Sequence, residues 1–328
     1  MRKEIKSLIL EKTGADRITS VEIVQELWSG FGKLQRIFLD GAAVDSVVVK
    51  NIELHGRGEH PRGWDTKNSF NRKLKSYRVE QEWYASYSDR CNDKCRVPKL
   101  LGHLSSEDRQ IILLEDLDGA GFDLRINQPN IEELKQCLRW LSNFHAQFMM
   151  QPAEGLWSQG TYWHLNTRPD EYRAMPDSKL KRQALKIDDA LNSSTYITFI
   201  HGDAKVTNFC FSDTGSVAAV DFQYVGAGCG IKDVAYLIGS CLSEHDCFRL
   251  ENELLSFYFQ ALKEALDAKH SIVEFWELEK EWRKLYPYAW TDFSRFLIGW
   301  SPKHHKLNQY SKKMVENVLN NLSILKGR

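Results

Sequence analysis

The chain has 328 residues, 42% hydrophobic and 27% charged, a mixture able to bury one large core or two smaller ones. Lys and Arg together number 44, as do Asp and Glu, so no net field favours nucleic acid or an anionic membrane as a partner. No apolar run approaches the roughly 20 residues that span a bilayer, and Leu8 to Leu10 is too brief for a secretory signal, so the expectation is a cytoplasmic chain with no protein partner implied.

After a short amphipathic start, three β-like runs follow: Ser20 to Leu27, Lys33 to Leu39 and Ser46 to Leu54. The first joins the second through Trp28-Ser29-Gly30-Phe31-Gly32, and the second joins the third through Asp40-Gly41, a strong turn signal, which predicts an antiparallel meander. A polar loop rich in Gly, His and Arg comes next, then a helix near Leu74 to Tyr87. Two more β runs lie around Cys95 to Leu104 and Gln110 to Glu115. Seven cysteines show no repeated spacing; only Cys91 and Cys95 lie close together, with no second Cys/His pair of ligand spacing, which favours reduced thiols over zinc or a disulfide.

Beyond Asp118-Gly119-Ala120-Gly121 the pattern turns helical. Asn130 with Glu133 makes a capping-box start, and Ile131, Leu134, Leu138, Leu141, His145 and Phe148 recur at helical spacing, His145 on the apolar face. Further helix is expected over Pro169 to Leu191. One β segment interrupts from Ile197 to Phe222, and helix resumes over Asp233 to Gly239, Cys247 to Ala268, Ser271 to Lys284, Thr291 to Trp300 and on to Leu325. The fold class is therefore α+β in two lobes: a β-sheet plus helix over residues 1–116, and a mainly helical part over 117–328.

The segment His201 to Gln223 carries the chemistry. Phe209-Cys210-Phe211, a turn at Asp213-Thr214-Gly215-Ser216, and Val217-Ala218-Ala219-Val220 read as a β-hairpin. If it folds symmetrically about Thr214-Gly215, Asn208 lies opposite Asp221, and an amide oxygen beside a carboxylate suits Mg²⁺; an odd-numbered loop would spoil this register. Asp203, just upstream, could orient an incoming hydroxyl and accept its proton.

His201-Gly202-Asp203-x-x-x-x-Asn208 followed by Asp221-Phe222-Gln223 resembles the signature of aminoglycoside phosphotransferases and choline kinases, distant relatives of protein kinases. Asp221-Phe222-Gln223-Tyr224 with Asp233 beyond is also similar to choline kinase and to the ecdysteroid kinase-like group. The resemblance implies a protein-kinase-like bilobal fold and an ATP- and Mg²⁺-dependent transfer of phosphate to the hydroxyl of a small molecule. By it, Asp203 is the catalytic base, Asn208 and Asp221 hold Mg²⁺, His201 shapes the loop and Asp233 braces it. Lys205 departs from the usual aminoglycoside phosphotransferase pattern and is similar to the lysine of HRDLK, which meets the transferring phosphate.

On the nucleotide side, Lys50 on the third strand matches the lysine aimed at the α- and β-phosphates. Glu80 and Glu82 are its candidate partners, and an E-x-x-aromatic-Tyr pattern resembling the small-molecule kinase helix selects Glu80. Gly30 and Gly32 could bring backbone N–H groups to phosphate. The segment after Ile111 resembles the inter-lobe linker, whose main chain around Glu115 and Leu117 would bond adenine. Only eleven residues separate Asp221 from Asp233 and no APE follows, which argues against a peptide acceptor.

The acceptor itself is left open. Aromatic residues such as Trp276, Trp282, Tyr286, Trp290, Phe293 and Trp300 could cage a quaternary ammonium, pack a sterol-like ring or fill a core. Glu274, Glu277, Glu279 and Glu281 could draw an aminoglycoside or face solvent. A nucleotide-binding pseudokinase or scaffold of the same fold is the alternative to an active enzyme.

Overall fold

The computed structural model describes residues 2–27, 30–54 and 66–324. Trp28 and Ser29 of the first turn, the polar loop that follows Leu54, and Leu325 lie outside them. The chain is α+β, as its patterning implies, and divides into two compact units. One comprises Met1–Arg125 with Cys210–Val220, the other Ile126–Phe209 with Asp221–Arg328. The patterning suggests one break after residue 116; the compact unit instead runs on to Arg125 and takes in the 210–220 segment, because Leu117, Cys210 and Ala218 are buried together with Phe122 and Val220 against them.

The first unit opens with α1 (Lys3–Thr13) and holds a five-stranded antiparallel sheet. Its strands are β1 (Arg17–Glu26), β2 (Gly32–Asp40), β3 (Ser46–Glu53), β4 (Leu100–Ser105) and β5 (Arg109–Glu115), in spatial order β1-β2-β3-β5-β4. Alternation along β3 decides which residue faces which layer. Val47 and Val49 go to one face, where Ile5, Leu8 and Ile9 of α1 close a core with Ile37, Ile111 and Leu113. Lys50 therefore emerges on the other face, the one that meets helix α2 (Lys67–Ser86).

That helix starts a full two turns before the expected Leu74. Thr66 caps it, its hydroxyl accepting from Ser69 N–H at 3.1 Å, while the polar residues of the first turns hide the start from a periodicity reading. In the β4 region, where a strand is expected from Cys95, a 3₁₀ turn occupies Asp93–Cys95, Arg96 makes an isolated bridge to Ala218, and pairing within the five-stranded sheet begins only at Leu100.

The second unit is built on α3 (Ile131–Gln147), whose capping box between Asn130 and Glu133 is complete. Two helices, α4 (Pro169–Ala174) and α5 (Lys179–Asn192), replace the single helical stretch expected there. Strand β6 (Thr198–Ile200) precedes the motif loop; the hairpin strands that follow it, β7 (Phe209–Phe211) and β8 (Val217–Ala219), belong from Cys210 on to the first unit. A further strand, β9 (Gly226–Gly228), pairs antiparallel with β6, Ile200 against Gly226. Its Gly-Ala-Gly sequence has no strand propensity, so only tertiary pairing reveals it.

Helices α6 (Ile231–Cys241), α7 (Glu244–Ala268), α8 (Phe275–Trp300) and α9 (Gln309–Ile324) complete the chain. The last two segments expected before the final run are one helix, α8, which continues through Pro287 because Trp282, Leu285, Tyr286 and Trp290 are buried on both sides of it. Among the described residues, no helix is long and apolar enough to cross a membrane.

Candidate active site

In the first unit, Lys50 Nζ meets Glu80 Oε2 at 2.5 Å, both side chains buried. Glu82 instead accepts from Ser86 Oγ at 2.6 Å on the exposed side of α2. The pairing of a third-strand lysine with a carboxylate on the following helix is the arrangement that protein kinases require. Gly30 and Gly32 both have positive φ, 69° and 125°. Gly30 N–H donates to Leu27 C=O at 3.3 Å, and a Cβ on Gly32 would fall on the carbonyl of Asn51 in β3. Each glycine therefore has a reason internal to the sheet to be glycine.

At the end of β5, Glu115 binds Arg96 through both carboxylate oxygens at 2.6 Å, and its N–H donates to Lys99 C=O at 2.9 Å. Leu117 C=O accepts from Phe122 N–H at 2.8 Å. Leu117 itself is buried, and Asp118 N–H turns back to Asp116 Oδ1 at 3.2 Å, so the chain bends sharply just past β5.

In the second unit the motif loop is held from behind. Asp233, in the first turn of α6, accepts from His201 N–H at 2.6 Å and Gly202 N–H at 3.0 Å. His145 is satisfied within the core, its Nε2 lying 3.3 Å from Asp233 Oδ2 and its Nδ1 2.7 Å from the Tyr258 hydroxyl. His201 is fully buried against Phe222, and its Nδ1 accepts from Asp203 N–H at 3.3 Å. Gly202 has φ 79°, and a Cβ there would lie 2.8 Å from Thr161 N and fall on the Tyr224 carbonyl. Only glycine lets the loop approach both segments.

These restraints present Asp203 asymmetrically. Its Oδ2 accepts from Lys205 Nζ at 3.0 Å and from Asn208 Nδ2 at 3.2 Å. Its Oδ1 is buried with no hydrogen-bond partner. Burial raises the pKa of this carboxyl above the ordinary range; Lys205 pulls it back and the charge of Asp221 pushes it further up. Lys205 is raised in turn: its own burial opposes the charge, but Asp203 and Asp221 outweigh it.

The expected hairpin forms in a different register. Ser212 N–H donates to Ser216 C=O at 2.9 Å and Gly215 N–H to Ser212 C=O at 3.1 Å, closing a three-residue loop with Gly215 at φ 81°. The odd-numbered loop sets Cys210 against Ala218, so Asn208 and Asp221 are not directly opposed. What relates Asp221 to the motif loop is its backbone, turned at φ 68°, and its electrostatic action on Asp203 and Lys205. Asn208 Nδ2 also donates to Asp203 C=O at 2.8 Å, which directs its amide oxygen the other way. No group of three or more His, Cys, Asp or Glu able to hold a metal occurs among the described residues. An amide oxygen and a carboxylate, completed by phosphate and water, nevertheless fit Mg²⁺, which keeps several waters and needs no all-protein cage.

Two tyrosines carry more than their sequence pattern, aromatic or helical, announces. Tyr236 donates to the Tyr162 hydroxyl at 3.3 Å, and burial raises both phenols, followed by the charge of Asp203 at Tyr162 and by Tyr162 and then Asp203 at Tyr236. Tyr236 sits three residues after Asp233, one turn along the same face of α6, a spacing that could have revealed it. Thr161, just before Tyr162, has φ 100°, a rare strain for a β-branched residue. Of the other aromatics, Trp282, Tyr286 and Trp290 are core, whereas Trp276 is exposed. The glutamates of α8 are locally committed: Glu281 accepts from Thr195 N–H at 2.9 Å and Glu279 pairs with Arg283 at 2.7 Å.

The model of the ecdysteroid kinase-like family matches residues 163–270, the third of the chain that holds His201, Asp203, Asn208, Asp221 and Asp233. The resemblance drawn from the motifs is thus met in the segment that carries them. No curated protein matches the chain. Among solved structures, a candidate fructosamine-3-kinase of Haemophilus somnus 129PT is 14% identical, with 97% of this chain and 96% of that one covered and a TM-score of 0.49. A choline kinase of Streptococcus pneumoniae is 13% identical over 98% of each chain, with a TM-score of 0.48. An aminoglycoside phosphotransferase of Streptomyces rimosus ATCC10970, in complex with ADP and streptomycin, is 13% identical, covering 88% of this chain and 98% of its own, with a TM-score of 0.47.

Proposed function

We propose that this protein is an ATP- and Mg²⁺-dependent phosphotransferase whose acceptor is the hydroxyl of a small molecule. The observation that carries the reading is Asp203, a buried carboxylate with one oxygen anchored by Lys205 and Asn208 and the other without a partner. An acceptor hydroxyl bonded to Oδ1 would have its lone pair oriented and its proton drawn off to Asp203 as its oxygen attacks the terminal phosphorus, while the bond from that phosphorus to the β–γ bridging oxygen breaks and ADP leaves. The elevated proton affinity of Asp203 suits this task, since a base nearer neutrality holds the proton better as it arrives.

Lys205 offsets charge growing on the transferred phosphoryl oxygens, and its bond to Oδ2 keeps the base from rotating. Lys50, fixed by Glu80, is the candidate phosphate-binding lysine, and the main chain around Glu115 and Leu117 is the candidate nucleobase contact. Mg²⁺, held by Asn208 and Asp221, supplies neutralisation of the phosphate charge when bound. The short span between Asp221 and Asp233 supports a pocketed acceptor rather than a peptide.

MgATP should raise the thermal unfolding midpoint of the full chain, and EDTA should abolish most of that rise. A phosphorylation screen over choline, ethanolamine, aminoglycosides, sugars and hydroxysteroids then reads turnover directly. No stabilisation at millimolar MgATP sinks the proposal; stabilisation with no phosphorylated product from any acceptor class points to a scaffold.

A further inference from the structure

Helix α2 carries Phe70, Lys73, Tyr77, Glu80 and Tyr84 at spacings of three and four, a single stripe along the helix. Glu80 on this stripe already holds Lys50. Tyr77, fully buried, lies next to two ammonium groups: Lys50 Nζ is 5.8 Å from its ring centroid and Lys73 Nζ is 4.8 Å. The same ring meets Phe31, the residue between Gly30 and Gly32, at 5.6 Å, and Phe31 meets Phe70 at 5.7 Å. A glycine turn, the paired lysine and a second lysine are thus gathered around one aromatic side chain.

From this juxtaposition we infer that Lys73 is a second phosphate-binding cation of the nucleotide site, acting with Lys50 on the polyphosphate chain of a nucleoside triphosphate. The inference rests on the nucleotide-binding reading above. Lys50 shares its charge with Glu80, and a polyphosphate chain carries several negative charges that one shared ammonium meets only in part. Lys73 sits about two helical turns from Glu80 on the same face, so its flexible stem reaches along the stripe while Tyr77 supports the cation from beneath. Neighbouring Lys75 is exposed and off the stripe, which makes it the control.

Calorimetric titration of the full chain with MgATP, MgADP and AMP tests the assignment. Lys73→Met should weaken MgATP binding roughly tenfold while AMP stays within about twofold, as a lost charge-assisted contact to the outer phosphates requires. Lys73→Arg should recover most of the loss, and Lys75→Met should bind as the unaltered chain does. If Lys73→Met holds MgATP normally while Lys50→Met does not, the assignment of Lys73 fails and the nucleotide reading stands. Equal loss of AMP and ATP would also overturn it, since that pattern means a displaced helix. An unaltered chain that binds no MgATP removes both together.

Discussion

Two buried carboxylates, Asp116 just past β5 and Asp203 after β6, have answered the cost of burial in opposite ways. Asp116 receives Arg36 Nε at 2.6 Å and Ser46 Oγ at 2.7 Å on one oxygen, and Arg36 Nη2 and Asp118 N–H, each at 3.2 Å, on the other. Burial alone would raise its proton affinity, but the bonds from Arg36 and Ser46 outweigh it and hold the carboxyl below the ordinary range. Asp203 is also closed to solvent but lies deeper, its donors converge on one oxygen, and burial together with the charge of Asp221 outweighs Lys205 and carries its proton affinity up. A carboxylate saturated on both oxygens is an anchor. One left half-satisfied in a fully braced loop retains capacity for an incoming donor, and that difference separates structure from chemistry here.

The comparison breaks first at Asp203. Asp203→Asn should lower turnover by at least about 10², with nucleotide affinity nearly unchanged. The same substitution should raise the stability of the ligand-free protein at neutral pH. The sign follows from the raised folded-state value: the uncharged form is the one the fold prefers, so the charged group costs stability at pH 7, and that cost fades as pH falls through the folded value toward 3.8. Thermal unfolding of the two chains between neutral and acid pH checks this. If the Asp203→Asn chain melts earlier than its parent, Asp203 is an anchor like Asp116.

Asp116→Asn should behave in the opposite sense and cost about 2–3 kcal/mol at neutral pH, because Arg36 keeps its burial and loses its main counter-charge. Its depressed folded-state value means the stability it contributes is present above 3.8 and is lost as pH falls through the lower folded value. Denaturant unfolding of this variant across the same pH range should therefore show a penalty that shrinks in acid. A constant penalty would assign the effect to packing.

Much of this contrast is legible in the sequence on one side and hidden on the other. Asp203, Asn208, Asp221 and Asp233 stand at fixed spacings in one short segment, and Lys50 and Glu80 lie on elements whose order periodicity reveals. The α+β division follows from the same patterning. Arg36 and Asp116, by contrast, are 80 residues apart and read as an ordinary strand charge and a loop acid. Their pairing depends on β2 and β5 flanking β3, a fact of sheet order that no local pattern states. The hairpin register fails for a related reason: Gly215 adopts φ 81° and converts a symmetric turn into a three-residue loop, a choice made by one backbone angle. Strand β9 is invisible because pairing with β6, and no residue preference, makes it a strand.

The smallest effect sharpens the contrast most. Asp118 also pairs with Arg36, and accepts from Arg125 Nη2 at 2.5 Å, so by charge alone it is as well placed as Asp116. Its side chain, however, is 30% exposed where that of Asp116 is 3% exposed, so water screens its ion pairs and can replace them. Asp118→Asn should therefore cost less than about 1 kcal/mol in denaturant unfolding, and the difference should shrink further in high salt. A loss equal to that of Asp116→Asn would mean that the summed charge around Arg36, not the burial and saturation of a single carboxylate, governs this region. The distinction drawn between Asp116 and Asp203 would then need charge, rather than unmet hydrogen bonding, as its basis.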